Sequence, residues 1–416
     1  MLIRFSAANY RSISEPVELS MVAIDRDREE ARPVSPLGES LLPIAAIYGP
    51  NASGKSNVID ALVWLRNAVR HSLRVWEDEI PIEPFAFGEG PVSPSSLSVE
   101  IAIKGVRFEY LLELDSEHVA YEGLFHYPEK KRRRIFERED SELKLQRGLG
   151  GLSGTRELMT QRTLALAVAR RFDEPLVTDF AAHFMSMHVL GQTSRRRVDG
   201  LLDGGFPVST LRWFEQPGEQ DATSAPDRDL ALSLLRLADL GIEDVVIDDE
   251  ESYSDSDARR GYRRFRLLHR TQNEVLPFEW RAESQGTRTW FELIGPVLTA
   301  LRAGTVVLFD ELDASLHPTL SAELLRIFHS PVTNPHGAQL VFTSHDASLL
   351  NSLNRDEVWL TEKHLDGSTR LGALSDFAGE RVRKSQNLEN AYLHGRFGAL
   401  PQVDQSALLR ALGLIG

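Results

Sequence analysis

The feature that most restricts the fold is a glycine-rich loop, Gly49-Pro-Asn-Ala-Ser-Gly-Lys-Ser56, between two apolar segments. The run from 41 to 48 is apolar enough for a buried strand, and apolar residues recur at helical spacing from Val58 to Val69. In this order of strand, glycine loop and helix, the backbone N–H groups of the loop and of the helix start bind phosphate. A plain glycine turn is the less favoured alternative in this context. The sequence therefore predicts an α/β fold with a nucleotide bound at the end of the strand.

The charged and polar residues of this loop have separate expected roles. Lys55 is expected to reach the β- and γ-phosphates of ATP during catalysis, whereas the Ser56 hydroxyl is expected to hold Mg²⁺. Further contacts are expected from the loop backbone and from the positive end of the helix. The predicted nucleotide-binding residues of this segment are Gly49, Asn51, Ala52, Ser53, Gly54, Lys55, Ser56 and Asn57.

Two apolar strands further along the chain end in residues that suit the same chemistry. The run from 305 to 309 leads into Asp310 and Glu311, and ligands bind at the carboxyl ends of such strands in open α/β sheets. Asp310 is expected to hold Mg²⁺ through water, and Glu311 to orient or deprotonate the attacking water. Alone, a strand ending in two carboxylates is more often structural. A second strand, 339 to 342, leads to His345, which is predicted to lie beside the same phosphate site.

A third element is the segment Glu283-Ser-Gln-Gly-Thr287, which precedes an apolar-periodic helix. A small residue and a glycine at a helix start form a second anion-binding amino terminus. Within a single subunit, no anion remains for this helix terminus to bind. We therefore expect a homodimer in which Ser284 and Gly286 of one chain close over the γ-phosphate held by Lys55 of the other. Pro296 lies inside the helix and is expected to kink it.

The separation of Lys55 and Asp310 exceeds half of the chain, which is too long for a compact GTPase or a ring-forming AAA+ ATPase. A large insertion between the two halves of a nucleotide site is typical of ABC-type heads. Short alternating segments from about 80 to 148, among them Val106 to Leu114 and Val119 to Tyr127, predict an antiparallel sheet. Residues 155 to about 245 are mostly helical in pattern. The predicted fold is an α/β, ABC-type P-loop ATPase head: a mixed sheet with helices plus an antiparallel β subdomain, with an inserted helical arm. Its expected parts are the first half of the head, the arm and the second half of the head, at residues 1–150, 151–245 and 246–416.

Over nearly its whole length, the chain resembles the AAA-named, ABC-type ATPases of bacterial abortive-infection and phage-defence operons. This type includes the AbiL and RloA proteins, the PARIS ATPase and the ATPase half of the overcoming-lysogenization-defect nucleases, and it is related to SMC-type heads. Besides the motifs above, the similarity is carried by Leu2-Ile-Arg-Phe-Ser-Ala-Ala-Asn-Tyr-Arg-Ser12, Asp310-Glu-Leu-Asp-Ala-Ser-Leu-His-Pro318 and Asn387-Leu-Glu-Asn-Ala-Tyr-Leu-His-Gly-Arg-Phe-Gly398.

The resemblance implies an ATP-driven head-to-head homodimer, with or without a higher oligomer. It also implies a partner effector, often a nuclease with a TOPRIM-like domain encoded next door. The implied site roles are a position near the nucleotide for Arg11 and Ser12, a degenerate signature loop for Ser284 and Gly286, the D-loop for Asp313 and the switch histidine for His345.

The chain departs from these relatives in three respects. The arm shows no sustained heptads, so it is not expected to form the long coiled coil of SMC proteins. Only 18 residues follow Gly398, so no carboxy-terminal TOPRIM nuclease is expected. No glutamine-loop residue can be assigned, since nothing around Gln161 recommends it.

The net charge of −14 argues against broad contact with a polyanion, because phosphate-backbone binding depends on clustered Lys and Arg. Such contact must be local, and most basic runs are solvated surface. The alternative function is a DNA-binding repair or recombination ATPase of the SMC-like class. A metal-dependent nuclease acting alone is the weakest interpretation, because the acidic run 248–257 lacks a paired-carboxylate framework. The basic runs lie at 130–134, 170–171, 195–197 and 259–260.

The chain has no cysteine, which rules out disulfides and thiolate sites. Its apolar runs are far shorter than the ~20 residues that cross a bilayer. Its first residues alternate like a strand and lack the apolar core of a secretory signal. We therefore expect a cytoplasmic protein without membrane association. The leading expectation is an ATP-hydrolysing, dimeric sensor or regulator of a partner nuclease or toxin in anti-phage defence.

Overall fold

The computed structural model describes residues 1–34, 38–76, 78–191, 208–215, 228–249, 263–377 and 388–394. The chain forms two compact units, one of Met1–Ser186 with Val341–Gly416 and one of Met187–Leu340. Helices and sheets occur in both units, so the predicted α/β class is confirmed. The predicted division of the chain at residues 150 and 245 stays a prediction.

The secondary structure has the following bounds. The β-strands are β1 Leu2–Ala8, β2 Val17–Ser20, β3 Arg32–Val34, β4 Glu39–Leu41, β5 Ile44–Tyr48, β6 Ser95–Ile103, β7 Val106–Leu114, β8 Val119–Tyr127, β9 Arg133–Glu139, β10 Glu142–Leu145, β11 His188–Gly191, β12 Ile242–Asp249, β13 Arg263–Arg270, β14 Val275–Glu279, β15 Val306–Asp310, β16 Gln339–Thr343, β17 Val358–Lys363 and β18 Thr369–Ala373. The α-helices are α1 Lys55–Val75, α2 Thr155–Leu158, α3 Ala165–Ala169, α4 Pro175–Met185, α5 Val208–Leu211, α6 Arg228–Ala238, α7 Gln285–Ala303, α8 Leu312–Ser315, α9 Pro318–His329, α10 Leu374–Phe377 and α11 Leu388–Leu393.

In the first unit, an antiparallel sheet has the strand order β10-β9-β8-β7-β6-β1-β2. The alternation of apolar and polar residues explains it, because successive side chains of a strand point to opposite faces. In β6, for example, Leu97, Val99 and Ile101 are buried while the residues between them are half-buried. The antiparallel sheet predicted for residues 80 to 148 is therefore confirmed, and β7 and β8 have the predicted bounds.

A buried ionic cluster joins this sheet to the start of α3 and to the residues just before it. Glu122 of β8 is fully buried and accepts hydrogen bonds from the backbone N of Ala165 and Leu166, at 2.5 and 2.7 Å. Arg138 of β9 lies 3.9 Å from Glu122 and donates to the carbonyl O of Thr163. Because each buried charge has several partners, the cluster fixes the path of the chain from β8 to α3.

A second sheet in the first unit contains the strand that enters the phosphate loop. All residues of β5 are buried, and β5 pairs in parallel with β17, with Tyr48 opposite Leu360. Strand β17 pairs antiparallel with β18, which makes a hairpin. Helix α1 follows the loop and packs against α3 and α4. The loop is thus held between a central strand and a helix buried along one face.

In the second unit, β11 pairs in parallel with β15, with Gly191 opposite Asp310. The helical pattern of residues 155–245 did not predict β11. An antiparallel sheet has the order β12-β13-β14, and α7 packs against α5 and α6. The helix continues through Pro296, so the predicted kink does not interrupt it. Of the helices in the described ranges, none combines the length and apolar character needed to span a membrane.

Candidate nucleotide site

The glycine-rich loop turns from β5 into α1 with backbone angles that favour glycine. Gly49 has a φ of 153°, and Gly54, the residue before α1, has a φ of 97°. A methyl group on Gly49 would collide with Thr361, and one on Gly54 would collide with Thr369. Both glycines are therefore required for the turn itself and for its close packing against the β17–β18 hairpin.

The loop presents backbone N–H groups that the chain itself does not use. The backbone N of Ser53 donates to the carbonyl O of Pro50 at 3.2 Å, which closes the turn. Within the part of the chain that the structure describes, the amides of Asn51, Ala52, Gly54 and Ser56 donate no hydrogen bond. A helix start with unsatisfied N–H groups carries a partial positive charge. These four N–H groups can therefore bind an anion without giving up a hydrogen bond that they already make.

Lys55 supplies a full positive charge at the same place. It is 5% exposed, and its ammonium group donates to the carbonyl O of Gly49 at 2.9 Å and of Pro50 at 3.1 Å. The long side chain thus folds back over the loop from the first turn of α1. A cation and a set of N–H donors meet in one short segment, which is the chemistry that a phosphate requires.

Ser12 reaches the start of α1 from the turn after β1. Its Oγ accepts a hydrogen bond of 2.6 Å from Nδ2 of Asn57, in the first turn of the helix. The structure therefore brings together Ser12 and the phosphate loop, two segments that the sequence analysis linked only by resemblance.

Arg11, the neighbour of Ser12, is engaged with acidic partners. It has a φ of 51° and lies 2.8 Å from Asp60 of α1. It also donates two hydrogen bonds to Glu83, at 2.9 and 3.0 Å. Burial alone would lower the pKa of Arg11, but Glu83 and the nearby charges outweigh it and raise the pKa. The guanidinium group therefore stays charged beside α1.

His345 lies at the same end of β5 as the loop. The backbone N of Ser344 donates to the carbonyl O of Ile47 at 3.2 Å, and the carbonyl O of Asp346 accepts from the hydroxyl of Tyr48 at 3.2 Å. His345, between these two anchored residues, is exposed. The structure thus places His345 next to the residues that lead into Gly49.

The predicted acidic residues lie in the second unit. Asp310 ends β15 and is 3% exposed. Glu311 follows with a φ of 59° and a ψ of 61°, and α8, which contains Asp313, begins directly after it. This left-handed conformation is uncommon for a residue with a side chain, and strain of this kind clusters at functional sites. Both carboxylates therefore lie at the carboxyl end of the strand, as the sequence predicts.

The predicted signature loop, also in the second unit, forms the start of α7. Ser284 caps the helix, because its Oγ accepts a hydrogen bond of 3.0 Å from the backbone N of Thr287. Ser284 and Gly286 are exposed. A methyl group on Gly286 would approach only Ser284 Oγ, at 3.8 Å. Packing within the chain therefore does not require glycine at this position.

Sequence reasoning missed three residues that hold the loop and helix α1. Thr361 and Thr369 contact the loop from the β17–β18 hairpin, and Asp60 of α1 pairs with Arg11 and accepts from the Tyr10 hydroxyl at 2.6 Å. No local pattern marks the threonines, because their partners are more than 300 residues away in sequence. The polar Asp60 within an apolar-periodic helix was the one available signal.

The segments that contain these motifs also match a known protein family. A family model described as "AAA domain, putative AbiEii toxin, Type IV TA system" matches residues 44–147 and 219–351, which is more than half of the chain. The chain belongs to this AAA-domain family. The matched ranges include the phosphate loop, the start of α7, Asp310, Glu311 and His345. Membership of the family therefore supports an ATPase of the AAA type. No curated protein gives a significant match to this AAA-domain chain.

Solved structures include similar proteins at low identity. The SMC head domain from Thermotoga maritima is 14% identical with a TM-score of 0.40, over 89% of this chain and 98% of that chain. An SMC head bound to the C-winged helix domain of ScpA is 11% identical with a TM-score of 0.42, over 89% and 97% of the respective chains.

The basic runs of this AAA-domain protein differ in how their charges are paired. In the run 130–134, Arg132 pairs with Glu109 at 2.8 Å and Arg134 pairs with Glu137 at 3.0 Å. Arg133 lies 3.9 Å from Glu129. These charges are therefore largely matched within the sheet. The runs 195–197 and 259–260 lie outside the described residues.

A second basic group has no such pairing. It combines the α1 residues Arg66, Arg70 and Arg74 with Arg170 and Arg171, and within the described ranges none of the five forms an ion pair. Arg170 donates to the carbonyl O of Arg70 at 3.0 Å, so α1 and the end of α3 meet here. Burial and then the charge of Arg70 lower the pKa of Arg66 to about 10. We call these five residues the α1 basic patch.

The acidic run 248–257 lies almost entirely outside the described residues. Elsewhere in the described ranges, no group of three or more His, Asp or Glu side chains is arranged to hold a metal ion.

Proposed function

We propose that this AAA-domain protein binds and hydrolyses ATP as a homodimer and thereby regulates a partner effector, a nuclease or toxin, in anti-phage defence. The observation that carries the proposal is the phosphate loop, in which the unused N–H groups of Asn51, Ala52, Gly54 and Ser56 and the buried cation Lys55 lie in one short segment. Such a loop stabilises a polyphosphate by positioned donors and charge rather than by covalent chemistry.

The residues of the chain would have the following roles in ATP binding and hydrolysis. Bound ATP with Mg²⁺ supplies the reactive phosphoanhydride and its counter-charge. Lys55 would leave the carbonyls of Gly49 and Pro50 for the phosphate oxygens. Ser56 and Asp310 would hold the metal ion, since a hydroxyl and a carboxylate are oxygen ligands of the kind that Mg²⁺ prefers. Glu311 would take the proton of the attacking water, and His345 would hold the γ-phosphate end of the site.

The dimer proposal follows from the start of α7. Ser284 and Gly286 are exposed at a helix amino terminus, and Gly286 has open space where a side chain would be. A helix start of this kind suits an anion brought by another molecule. We propose that this anion is the γ-phosphate at Lys55 of a second copy, with Asp313 close to the same interface. ATP would then act as the element that joins two chains.

Two variants test the ATP proposal with a matched control. Lys55→Ala is expected to weaken ATP binding more than about tenfold while the protein still folds, because the side chain acts by charge. Lys104→Ala removes a surface lysine that pairs with Asp179, away from the loop in sequence, and it is expected to bind ATP normally. Isothermal titration calorimetry measures both affinities. Wild-type affinity in Lys55→Ala would remove the loop from the nucleotide site.

The dimer is tested by sedimentation. Glu311→Gln is expected to bind ATP without hydrolysing it, so analytical ultracentrifugation should show a dimer with ATP and Mg²⁺ and a smaller species without them. Adding Ser284→Arg is expected to abolish this association and to leave ATP affinity unchanged. If ATP leaves Glu311→Gln no more associated than before, the model in which ATP joins two chains is wrong.

The second candidate function is a DNA-binding repair or recombination ATPase, and the α1 basic patch favours it. Like charges one helical turn apart destabilise a helix unless something neutralises them, and a phosphate backbone does so. The net charge of −14 opposes this function elsewhere on the chain. Among the residues that the structure describes, this patch is therefore where a DNA contact is expected.

Matched triple variants decide this point. Arg70→Gln/Arg74→Gln/Arg171→Gln and Arg132→Gln/Arg133→Gln/Arg134→Gln remove the same charge, but only the second set is ion-paired. If the function is DNA binding, duplex DNA should bind with a steep salt dependence, and the first triple variant should reduce the slope by about 2 to 3. No binding of wild-type protein at 50 mM salt would exclude this candidate.

A further inference from the structure

We propose that Thr361 and Thr369 are positioning residues that hold the phosphate loop in its nucleotide-binding shape. Both lie on the β17–β18 hairpin and are buried, with 0% and 4% exposure. The inference rests on the proposed nucleotide binding, and it extends that function to two residues outside the loop. They follow the loop by more than 300 residues in sequence and lie beyond the range that the family model matches.

Thr361 joins the end of β5 to the middle of the loop. Its Oγ1 donates to the carbonyl O of Tyr48 at 3.2 Å and lies 2.5 Å from Oγ of Ser53. A hydroxyl group has one proton, so Thr361, which donates to Tyr48, accepts from Ser53. The hydroxyl of Ser53 therefore donates to the hairpin.

Thr369 holds the same residue through its backbone. Its Oγ1 donates to the carbonyl O of Ser53 at 2.9 Å and lies 2.7 Å from Oγ of Ser12. By the same count of protons, Ser12 donates to Thr369, and Ser12 in turn accepts from Asn57. The hydrogen bonds run in one direction, from Asn57 at the helix start through Ser12 and Thr369 to the loop carbonyl.

These two contacts fix Ser53 from both sides, by its hydroxyl and by its carbonyl. Ser53 is fully buried, and its neighbours Ala52 and Gly54 carry unused N–H groups. The collisions that a methyl group on Gly49 or Gly54 would make show that the hairpin and the loop are in close contact. A loop held in this way presents its donors already oriented, which lowers the ordering cost of binding.

Valine and serine separate a hydrogen-bonding role from a packing role. Thr361→Val keeps the shape of the side chain and removes both hydrogen bonds, whereas Thr361→Ser keeps the hydroxyl and removes a methyl group. Thr155→Val is the matched control, because Thr155 is 1% exposed and its hydroxyl has no hydrogen-bond partner within the described residues. A positioning role predicts that only the first variant affects the loop.

The first measurement is amide hydrogen exchange of the nucleotide-free protein at Ser53, Asn57 and Val58, whose N–H groups donate to the carbonyl O of Pro50 or Gly54. We expect exchange in Thr361→Val to be about tenfold faster than in wild type, since the loss of a buried hydrogen bond corresponds to a factor of about ten in an opening equilibrium. Thr361→Ser and Thr155→Val are expected to match wild type. Thr369→Val, measured in the same way, replaces Thr361→Val if that variant does not fold.

The second measurement is the Kd for ATP, which should rise about tenfold in Thr361→Val and stay unchanged in the serine variant and the control. Wild-type exchange and wild-type affinity in both valine variants would overturn the positioning role. If wild type itself binds no ATP, the proposed function fails, and faster loop exchange in Thr361→Val would still support the positioning of the loop by the hairpin.

Discussion

The hydroxyl of Thr210 donates a hydrogen bond of 2.7 Å to the carbonyl O of Phe291 and accepts one of 2.9 Å from the backbone N of Gly295. It thereby takes the place of an internal bond of α7 beside Pro296, which has no N–H to donate. Gly295 permits the approach, because a methyl group there would lie 2.5 Å from the backbone N of Thr210. The Thr210 side chain of α5 thus satisfies two backbone groups of α7, the helix that begins at the predicted signature loop.

Thr210→Val is expected to destabilise the protein by about 2 to 4 kcal/mol, because it leaves a buried carbonyl and a buried N–H without partners. Urea denaturation measures the free energy of unfolding. Thr299→Val is the control, since its hydroxyl only adds a bond of 2.7 Å to the carbonyl O of Gly295 within the same helix, and its expected cost is no more than about 1 kcal/mol. An equal loss of unfolding free energy in both variants would contradict the role of Thr210 in satisfying the backbone of α7.

This contact shows where prediction from sequence ends. The order of strand, phosphate loop and helix from β5 to α1 was predictable because apolar spacing and the loop pattern are local. The same holds for β7 and β8, whose alternation fixed both bounds. Pro296 signalled a kink, but the threonine that completes the helix there is more than 80 residues away. No local rule names such a partner.

Strand β11 shows a second limit. His188–Gly191 has four half-buried residues within a mostly helical stretch, so it carries no alternation to detect. Its strand conformation follows from parallel pairing with β15, where Leu190 lies opposite Phe309. The nucleotide site likewise contains residues that local sequence predicts and residues that it does not. The residues that present N–H groups and charge follow local motifs, whereas Thr361 and Thr369 depend on pairing between distant segments.

The buried carboxyl group of Glu122 predicts a pH dependence of stability. Burial raises the pKa of Glu122 above its ordinary value, although Arg138, two backbone amides and Tyr110 act against it. As pH rises, the unfolded chain loses this proton first, so wild type loses stability from about pH 4.5 up to the folded-state pKa. Glu122→Gln does not titrate. The difference in unfolding free energy between wild type and Glu122→Gln is therefore expected to shrink as pH rises through this window.

The pH dependence of stability expected from Glu137 has the opposite sign, so Glu137 serves as the control. Burial alone would raise the pKa of Glu137, but hydrogen bonds from Arg134 and Tyr121 outweigh it and lower the pKa. Its stabilising contribution is present above the unfolded-state pKa and is lost as pH falls. Chemical denaturation from pH 3 to pH 8 should show that the difference in unfolding free energy between wild type and Glu137→Gln widens with rising pH. Parallel curves for the two variants would contradict the assignment for Glu122.

The α1 basic patch can be probed through His71, which lies among its arginines. Partial burial and then the charges of Arg70 and Arg66 lower the pKa of His71. Arg70→Gln is therefore expected to raise the pKa of His71 toward its ordinary value of 6.5, as measured by NMR titration of the imidazole protons. Arg132→Gln, in the paired basic run, should leave it unchanged. A His71 pKa that is the same in Arg70→Gln and wild type would show that the patch exerts no such field.

Gly54 combines a strained backbone with a close contact, and the two effects can be separated. At a φ of 97°, a residue with a side chain is strained, and a methyl group would also collide with Thr369. Gly54→Ala is expected to lower stability by about 1 to 3 kcal/mol and to weaken ATP binding more than about tenfold. Gly88→Ala is the control, because Gly88 has a φ of 61° with nothing within 4 Å of the added methyl group. It should lose stability and keep its ATP affinity.

Gly54→Ala/Thr369→Ala then tests the collision with the hairpin, because it removes the Thr369 side-chain atoms that the new methyl group would meet and leaves only Ser12 Oγ, at 2.8 Å, among its nearest contacts. Because Thr369→Ala by itself removes the hydrogen bond to the carbonyl O of Ser53, the double variant is compared with Thr369→Ala alone. If Gly54→Ala costs less stability in the Thr369→Ala background than in wild type, the collision with the hairpin dominates. Urea denaturation measures stability, and calorimetry measures whether ATP affinity follows the same pattern. If Gly54→Ala binds ATP as tightly as wild type, the conformation of the loop at Gly54 does not matter for nucleotide binding, and the phosphate-loop assignment loses its structural basis.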